Sequence, residues 1–412
     1  MAEVGRPSRP LWRNRDFMLL RSGQAISVVG SRVSVIAFPL LVLALTRSPA
    51  QAGIVGFFNT LPYVLFTLPA GALVDRWDRK RVMILCDTGR GLSIGSVVLT
   101  LRLGHLSVVQ LALVAFVEGT LSVFFTLSES AAVPRVVSPD QLTAAVSVNE
   151  STRRGAELIG PSVGGLLFSI GRALPFLADT ISYLISVLSL LFIETTFQEQ
   201  REGQATTLRQ EIGEGLQWVW HQPFVRTSLF LVAGSNLLFE ASSLIVIVLA
   251  QHLHASAAII GVIFSLFGVG GVIGAVVAPW AQHRLSLSQI VIGANWVWAL
   301  LWPLFAIVPQ PLLLGLINAT MAVAGAAWNV ALGSYTLALI PDALRGRVRS
   351  ISLLIAWGSI PVGAMLSGFL LQLVGPTSAV LITAAAMLGL AVAATLSPDL
   401  RNAPVIPAVN PS

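Results

Sequence analysis

The sequence predicts an all-α membrane protein with twelve transmembrane helices arranged as two pseudo-symmetric six-helix bundles. Three observations predict it. Only 11% of the 412 residues are charged, against roughly 25% in soluble globular proteins. The 55% that are hydrophobic gather into about a dozen blocks of the ~20 residues needed to cross a hydrocarbon core. Polar and glycine landmarks of the first half also return in the second at a near-constant spacing.

The blocks read as spans at 23–45, 52–74, 82–101, 108–130, 144–170, 175–196, 227–251, 256–281, 288–308, 312–337, 350–373 and 377–396. Their Pro and Gly residues are tolerable in a bilayer because neighbouring helices satisfy the freed backbone groups. Most connections are short. The exception is polar and central, so the chain divides into an N-terminal bundle (1–196), a cytoplasmic linker (197–226), a C-terminal bundle (227–396) and a cytoplasmic tail (397–412). Within the linker, apolar residues from Leu208 to Trp220 recur at helical spacing. This predicts an amphipathic helix on the membrane surface or a plain linker helix.

The halves echo each other. Asp75-Arg76 follows span two and His283-Arg284 follows span eight, 208 residues on; Gly160 and Gly165 of span five match Gly363 and Gly368 of span eleven, 203 residues on. Such offsets indicate parallel repeats of six helices each.

Arginines sort to one side. Loops there carry Arg6, Arg9, Arg13, Arg15, Arg76, Arg79, Lys80, Arg81, Arg135, Arg201, Arg209, Arg226, Arg284, Arg345, Arg347, Arg349 and Arg401, whereas the opposite loops carry only Arg47, Arg102 and Arg172. Positive loops stay in the cytoplasm, which places both termini there, as an even number of spans requires. The net charge of +6 follows from this asymmetry and implies no nucleic-acid partner. A single cysteine, Cys86, excludes an internal disulfide or a multi-cysteine metal site. No small-residue cleavage site follows a short apolar core near the start, so the first span is expected to be retained. The Arg-rich, Lys-poor, Ala/Gly-rich composition points to a high-GC bacterium, hence to the bacterial cell (inner) membrane.

Between spans two and three stands Gly71-Ala-Leu-Val-Asp75-Arg76-Trp-Asp78-Arg79-Lys80-Arg81. A small residue lets helices approach, an acid can cap a helix N-terminus, and the basic cluster anchors the loop inside. Span five carries Gly160-Pro161-Ser-Val-Gly164-Gly165, where proline kinks the helix and the glycines permit tight packing. The first stretch resembles the signature loop of the major facilitator superfamily, with Asp78 in place of the usual glycine. The second is similar to the motif of that superfamily's antiporter branch. Leu11 to Phe17, Asn149 to Arg154 and Glu214 to Pro223 resemble the sub-branch of macrolide-efflux proteins and the enterobactin exporter. The resemblance implies two bundles around a central cavity lined by spans one, four, seven and ten, a gating role for Gly71, Asp75, Arg76, Arg79, Arg81, Gly160, Pro161, Gly164 and Gly165, and a monomer. The basic residue that drug exporters carry in span four is replaced here by Ala115, four before Gly119.

An ionisable residue deep in the bilayer faces a bundle interior and is a functional candidate by default. Glu118 lies ten residues into span four, which at ~1.5 Å per residue is ~15 Å deep. Glu240 lies mid-way along span seven and Arg32 in span one. With Asn236, Asn318, Trp328 and Asn329, these residues suit a small amphipathic, cationic ligand. Glu118 or Glu240 is the expected proton carrier, loading outside and unloading inside while substrate moves the other way. The rival reading is a carboxyl paired with Arg32 or with a polar helix neighbour for structure alone. Asp87 with Arg90, and Glu150, Arg153, Arg154 and Glu157 on one helix face, read as structural ion pairs. Asp179, near the outer end of span six, reads as solvated.

Other patterns carry no chemistry. Gly91-Leu-Ser93-Ile-Gly95 and Gly160-Pro-Ser162-Val-Gly164 mimic a hydrolase elbow without its strand-turn-helix, so no enzyme is expected. His252 and His254 lack further metal ligands, and Gly270-Gly271-Val-Ile-Gly274 lacks the spacing of a dinucleotide site. Lys80, the one lysine, is not in a phosphate loop, which excludes ATP-driven transport by this chain alone. No cofactor is expected beyond a proton gradient, and no partners beyond substrate and lipid. Three classes remain: a proton-coupled exporter, an uptake symporter or facilitator, and a non-transporting sensor.

Overall fold

Caps, prolines and glycines set the helix boundaries. The computed structural model describes residues 10–197, 208–340 and 344–401. Arg6, Arg9 and Arg201 of the expected cytoplasmic set, the first part of the linker and the tail beyond 401 lie outside the described residues, as do the side chains of Arg209, Arg345, Arg347 and Arg349. The helices of the first half are α1 (Arg15–Thr46), α2 (Pro49–Val74), α3 (Arg79–Leu103), α4 (Val108–Val136), α5 (Leu142–Ile170) and α6 (Leu174–Leu191). The linker helix α7 (Leu208–His221) precedes α8 (Pro223–His252), α9 (Ala257–Arg284), α10 (Leu287–Leu301), α11 (Pro311–Leu339), α12 (Arg345–Gly358), α13 (Ile360–Leu396) and the short α14 (Pro398–Arg401).

Local chemistry explains the starts. Asp78 caps α3 by accepting from Arg81 N at 3.0 Å, and Ser107 caps α4 by accepting from Gln110 N at 3.2 Å. At α10, Ser286 and Gln289 form a reciprocal capping box, which satisfies two orphan backbone donors. Prolines stand at the first turns of α6, α8, α11 and α13, where a missing N–H costs nothing.

Among the described residues, ten helical stretches are long and apolar enough to cross a membrane. Two departures from the expected twelve have physical causes. α5 is 29 residues long, but Glu150, Arg153, Arg154 and Glu157 crowd its first half. Ser350–Leu396 runs as one 47-residue stretch, broken at Gly375, whose φ of 76° and ψ of 171° lie outside the helical region. The expected ninth span is met by Leu287–Ala306, whose last turns, with Pro303 at their start, form a 3₁₀ segment, Trp302–Ala306.

The chain forms two compact units. One comprises Met1–Leu45, Phe58–Glu202 and Ser256–Gly261; the other comprises Thr46–Phe57, Gly203–Ala255 and Val262–Ser412. Each is closed by glycines where helices touch backbone to backbone. In the first unit a Cβ on Gly160 would strike Arg32 of α1, and one on Gly165 would strike the Ala257 carbonyl and Gly261 of α9. In the second, a Cβ on Gly363 would strike Leu237 and Glu240 of α8, and one on Gly368 would strike Pro49 and Gly53 of α2. The matched glycines are 203 residues apart, and their partners (32 and 240, 49 and 257, 53 and 261) are each 208 apart. The repeat therefore extends from sequence landmarks to individual helix contacts.

Candidate functional site

The first unit concentrates buried charge where α1, α3, α4 and α6 meet. Arg90 is at its centre. Arg90 Nε and Nη2 donate to Glu118 Oε1 at 2.9 and 2.7 Å, and Nη1 donates to Asp87 Oδ1 at 3.3 Å. Nη2 also donates to Ser31 Oγ at 3.1 Å. Tyr183 Oη donates to Glu118 Oε1 at 2.7 Å and lies 2.9 Å from Ser31 Oγ, while the guanidinium sits 4.3 Å from the centre of the Tyr183 ring. Two carboxyls share one guanidinium, and Asp87 Oδ2 and Glu118 Oε2 are buried with no hydrogen-bond partner among the described residues.

Helical periodicity builds this site. Asp87 and Arg90 are one turn apart on α3, and Asp179, Ser182, Tyr183 and Ser186 form a buried polar stripe on α6 that meets α1 at Gly30, Ser31 and Gln24. Asp179 corrects the expectation of a solvated residue, since it is 1% exposed. It accepts from Ser182 Oγ at 3.3 Å and lies against Gly30 of α1, where a Cβ would stand 2.9 Å from its Oδ1. Packing of α6 on its neighbours, not depth along the span, decides its burial. Ser31 and Tyr183 were not among the sequence candidates. A polar stripe at three- and four-residue spacing in an otherwise apolar span was the available signal for Tyr183.

Of the two partners the structural reading offered Glu118, Arg32 and a polar helix neighbour, the structure has the neighbour, Arg90. Arg32 Nη2 instead reaches Glu157 Oε1 at 3.1 Å. Glu157 also holds Arg154 at 3.2 Å and lies 3.7 Å from Arg153, and Glu150 pairs with Arg153 at 2.8 Å and Arg154 at 2.9 Å. A ladder of charge on α5 is thus tied to α1.

The second unit has an aromatic core instead. Phe239 of α8 packs edge-on against Trp298 at 5.0 Å and Trp302 at 5.3 Å, and Trp298 lies 4.9 Å from Trp328. Trp298 Nε1 donates to Met321 O at 2.9 Å, and Trp302 Nε1 donates to Thr383 Oγ1 at 3.0 Å. Trp328 Nε1 is buried without a partner among the described residues. Glu240, beside Phe239, makes no hydrogen bond or ion pair with any described residue. Of the expected polar contacts, Asn236 Nδ2 is committed to Ala356 O at 2.7 Å, Asn318 is buried and Asn329 exposed.

The loop between α2 and α3 is clamped rather than free. Arg79 is buried and donates through Nη1 to Ala131 O at 3.1 Å and Phe197 O at 3.2 Å, with Nη2 3.4 Å from Asp75 Oδ1. Lys80 Nζ donates to Ile193 O at 2.6 Å. These cations tie the loop to a carbonyl in the last two turns of α4 and to two carbonyls of the segment that follows α6. Asp78, the departure from the family pattern, supplies the helix cap; Asp75, Arg76 and Arg81 are exposed, and Gly71 has open space where a Cβ would be.

Two parallel six-helix repeats in one chain are the architecture of a large class of secondary transporters. The chain belongs to the transmembrane secretion effector family of the major facilitator superfamily, whose pattern it matches over residues 7–406. It is 26% identical over 386 residues to the multidrug efflux pump Tap of Mycolicibacterium fortuitum, covering 90% of this chain and 93% of that protein. It is 25% identical over 211 residues to macrolide efflux protein A of Streptococcus pyogenes, covering 48% and 52%. The fold is shared with the nucleoside transporter NupG, with a TM-score of 0.72 at 15% identity, over 92% of this chain and 98% of that one.

Proposed function

We propose that the protein exports small amphipathic molecules, of drug, macrolide or siderophore-like character, in exchange for protons across a bacterial cell membrane, with both termini in the cytoplasm. The observation that carries this reading is the Asp87–Arg90–Glu118–Tyr183 cluster. Two acids share one guanidinium at helix-midpoint depth, where an uncompensated charge is costly, so protonation of one acid relieves the sharing, which supports a proton-binding role. Protonation of Glu118 removes its charge and releases Arg90 toward Asp87; deprotonation restores the pair. The swing between these states gives the first unit two arrangements that an outward and an inward proton supply can populate in turn.

The relatives named for multidrug and macrolide efflux support the outward direction and an amphipathic substrate. The aromatic rings around Trp298 support recognition of a substrate that is itself aromatic and cationic. Everted membrane vesicles test the reading. An imposed proton gradient drives ethidium or erythromycin into the vesicles, a protonophore abolishes the movement, and Glu118→Gln abolishes it while the protein still inserts. Accumulation of the same compounds by intact energised cells would instead indicate uptake, and an unimpaired Glu118→Gln would remove the proton role of that residue.

A further inference from the structure

The repeat allows the two cores to be compared position by position. α3 starts behind its cap Asp78 and α10 behind its cap Ser286, 208 residues on, and each cap accepts from the backbone N–H three residues later. At that spacing Asp87 corresponds to Asn295 and Arg90 to Trp298. α4 and α11 start at 108 and 311, so Glu118 corresponds to Met321. The correspondence holds for contacts too: Arg90 donates to Glu118 as Trp298 donates to the Met321 carbonyl. On α6 and the second part of α13, the buried residues Pro175, Phe176, Asp179 and Tyr183 coincide with Ala379, Val380, Thr383 and Met387, 204 residues on.

Every ionisable residue of the first core is thus matched by a neutral one in the second. The scaffold packs with Asn295, Trp298, Met321 and Thr383, so it does not require acids at these places. Asp179 is the clearest case. Thr383, at the matching position, serves as a hydroxyl acceptor for Trp302, whereas Asp179 is a carboxyl with a serine hydroxyl for company. Around it stand Arg90 from α3, Glu118 from α4 and Tyr183 one turn along α6, with Gly30 and the Ser34 hydroxyl on the α1 side. Glu129, eleven residues beyond Glu118, is a further acid on the same face of α4, within electrostatic reach of Asp87. The one guanidinium in this core is already shared by Glu118 and Asp87, whose outer oxygens have no partner.

We infer that Asp179 is a second proton-binding carboxyl of this core, linked through Tyr183 to the Arg90–Glu118 pair. It holds its proton while Arg90 is engaged by Glu118. On release the Asp179 O–H bond breaks, the proton passes to water, and the carboxylate left behind competes with Glu118 for the guanidinium. This deepens the antiport reading and rests on it for the role of the proton in transport, but not for the presence of the proton.

Two measurements on the full chain separate these points. In liposomes at neutral pH, the infrared difference between wild type and Asp179→Asn shows a carboxylic acid C=O stretch that shifts in D2O and moves with Ser182→Ala. Absence of that band overturns the inference. In everted vesicles, Asp179→Asn lowers gradient-driven ethidium accumulation at least tenfold while retaining ethidium counterflow, and intact gradient-driven accumulation also overturns it. If wild type moves neither ethidium nor erythromycin in response to a gradient, the antiport reading fails and the infrared band still decides whether Asp179 holds a proton. Should Asp179→Asn not fold, Asp179→Glu keeps a carboxyl and shifts the band; an unmoved band in that folded variant counts against the inference.

Discussion

Arg90 Nη2 and Glu118 Oε1 stand 2.7 Å apart inside the first unit, and the same guanidinium reaches Asp87, so one cation holds two acids from neighbouring helices. Removing the cation strands both acids. Arg90→Met is expected to destabilise the protein by about 3–5 kcal/mol, the range found when one member of a buried pair is lost. Arg90→Met combined with Glu118→Gln recovers a large part of that loss, because fewer acids are then unpaired. Thermal unfolding in detergent reads both effects, and equal melting of Arg90→Met and wild type would contradict the assigned pairing.

The two indoles of the second core separate hydrogen bonding from ring packing. Trp298→Phe removes the second donor to Met321 O, whose helical bond remains, at a cost of about 0.5–1.5 kcal/mol. Trp328→Phe removes an N–H that has no partner among the described residues, so the relief of a buried unsatisfied donor offsets the lost ring area. The expected order of melting temperatures is Trp328→Phe above Trp298→Phe.

Glycine substitutions should divide by what a Cβ meets. At Gly165 it meets the backbone of Ala257, which cannot give way, whereas at Gly155 it meets open space. Gly165→Val is expected to cost about 1–3 kcal/mol as an overpacked contact. Gly155→Ala is expected to be neutral or slightly stabilising, since alanine is the better helix former. Fluorescence-detected size-exclusion after heating distinguishes them.

Asp78 occupies the loop position where the family pattern has glycine, and its carboxylate caps α3. Asp78→Ala should cost about 1 kcal/mol and Asp78→Ser much less, because a hydroxyl caps as well. Equal melting of the two variants would show that the cap is immaterial.

Glu240 of α8, whose Cβ lies against Gly363 of α13, is a carboxyl without a described partner. If it recognises cationic substrates, Glu240→Gln lowers ethidium export by tenfold or more and leaves export of an uncharged amphipathic compound within about twofold, a difference of ~1 kcal/mol or more. A parallel fall for both compounds assigns it a general structural role instead.

Much of the architecture was readable in advance because hydrocarbon imposes simple rules. Charge poverty, blocks of bilayer length and the recurrence of Gly160 and Gly165 at Gly363 and Gly368 all follow from the need to hide backbone polarity and pack helices closely. The amphipathic stretch from Leu208 to Trp220 formed the helix its periodicity required. Helix termini were less legible: whether a proline starts a helix, as at Pro311, or ends one, as at Pro303, depends on the neighbouring turns.

Partner choice was out of reach. The residues alone determined that Asp87, Arg90 and Glu118 are ionisable groups inside a membrane helix bundle, since composition and periodicity suffice for that. Only the tertiary structure decided that Arg90 takes Glu118, that Arg32 goes to Glu157, and that Asp179 is sealed against Gly30. Those choices depend on which helix faces meet, and helices separated by tens of residues are brought together by packing that no local pattern encodes.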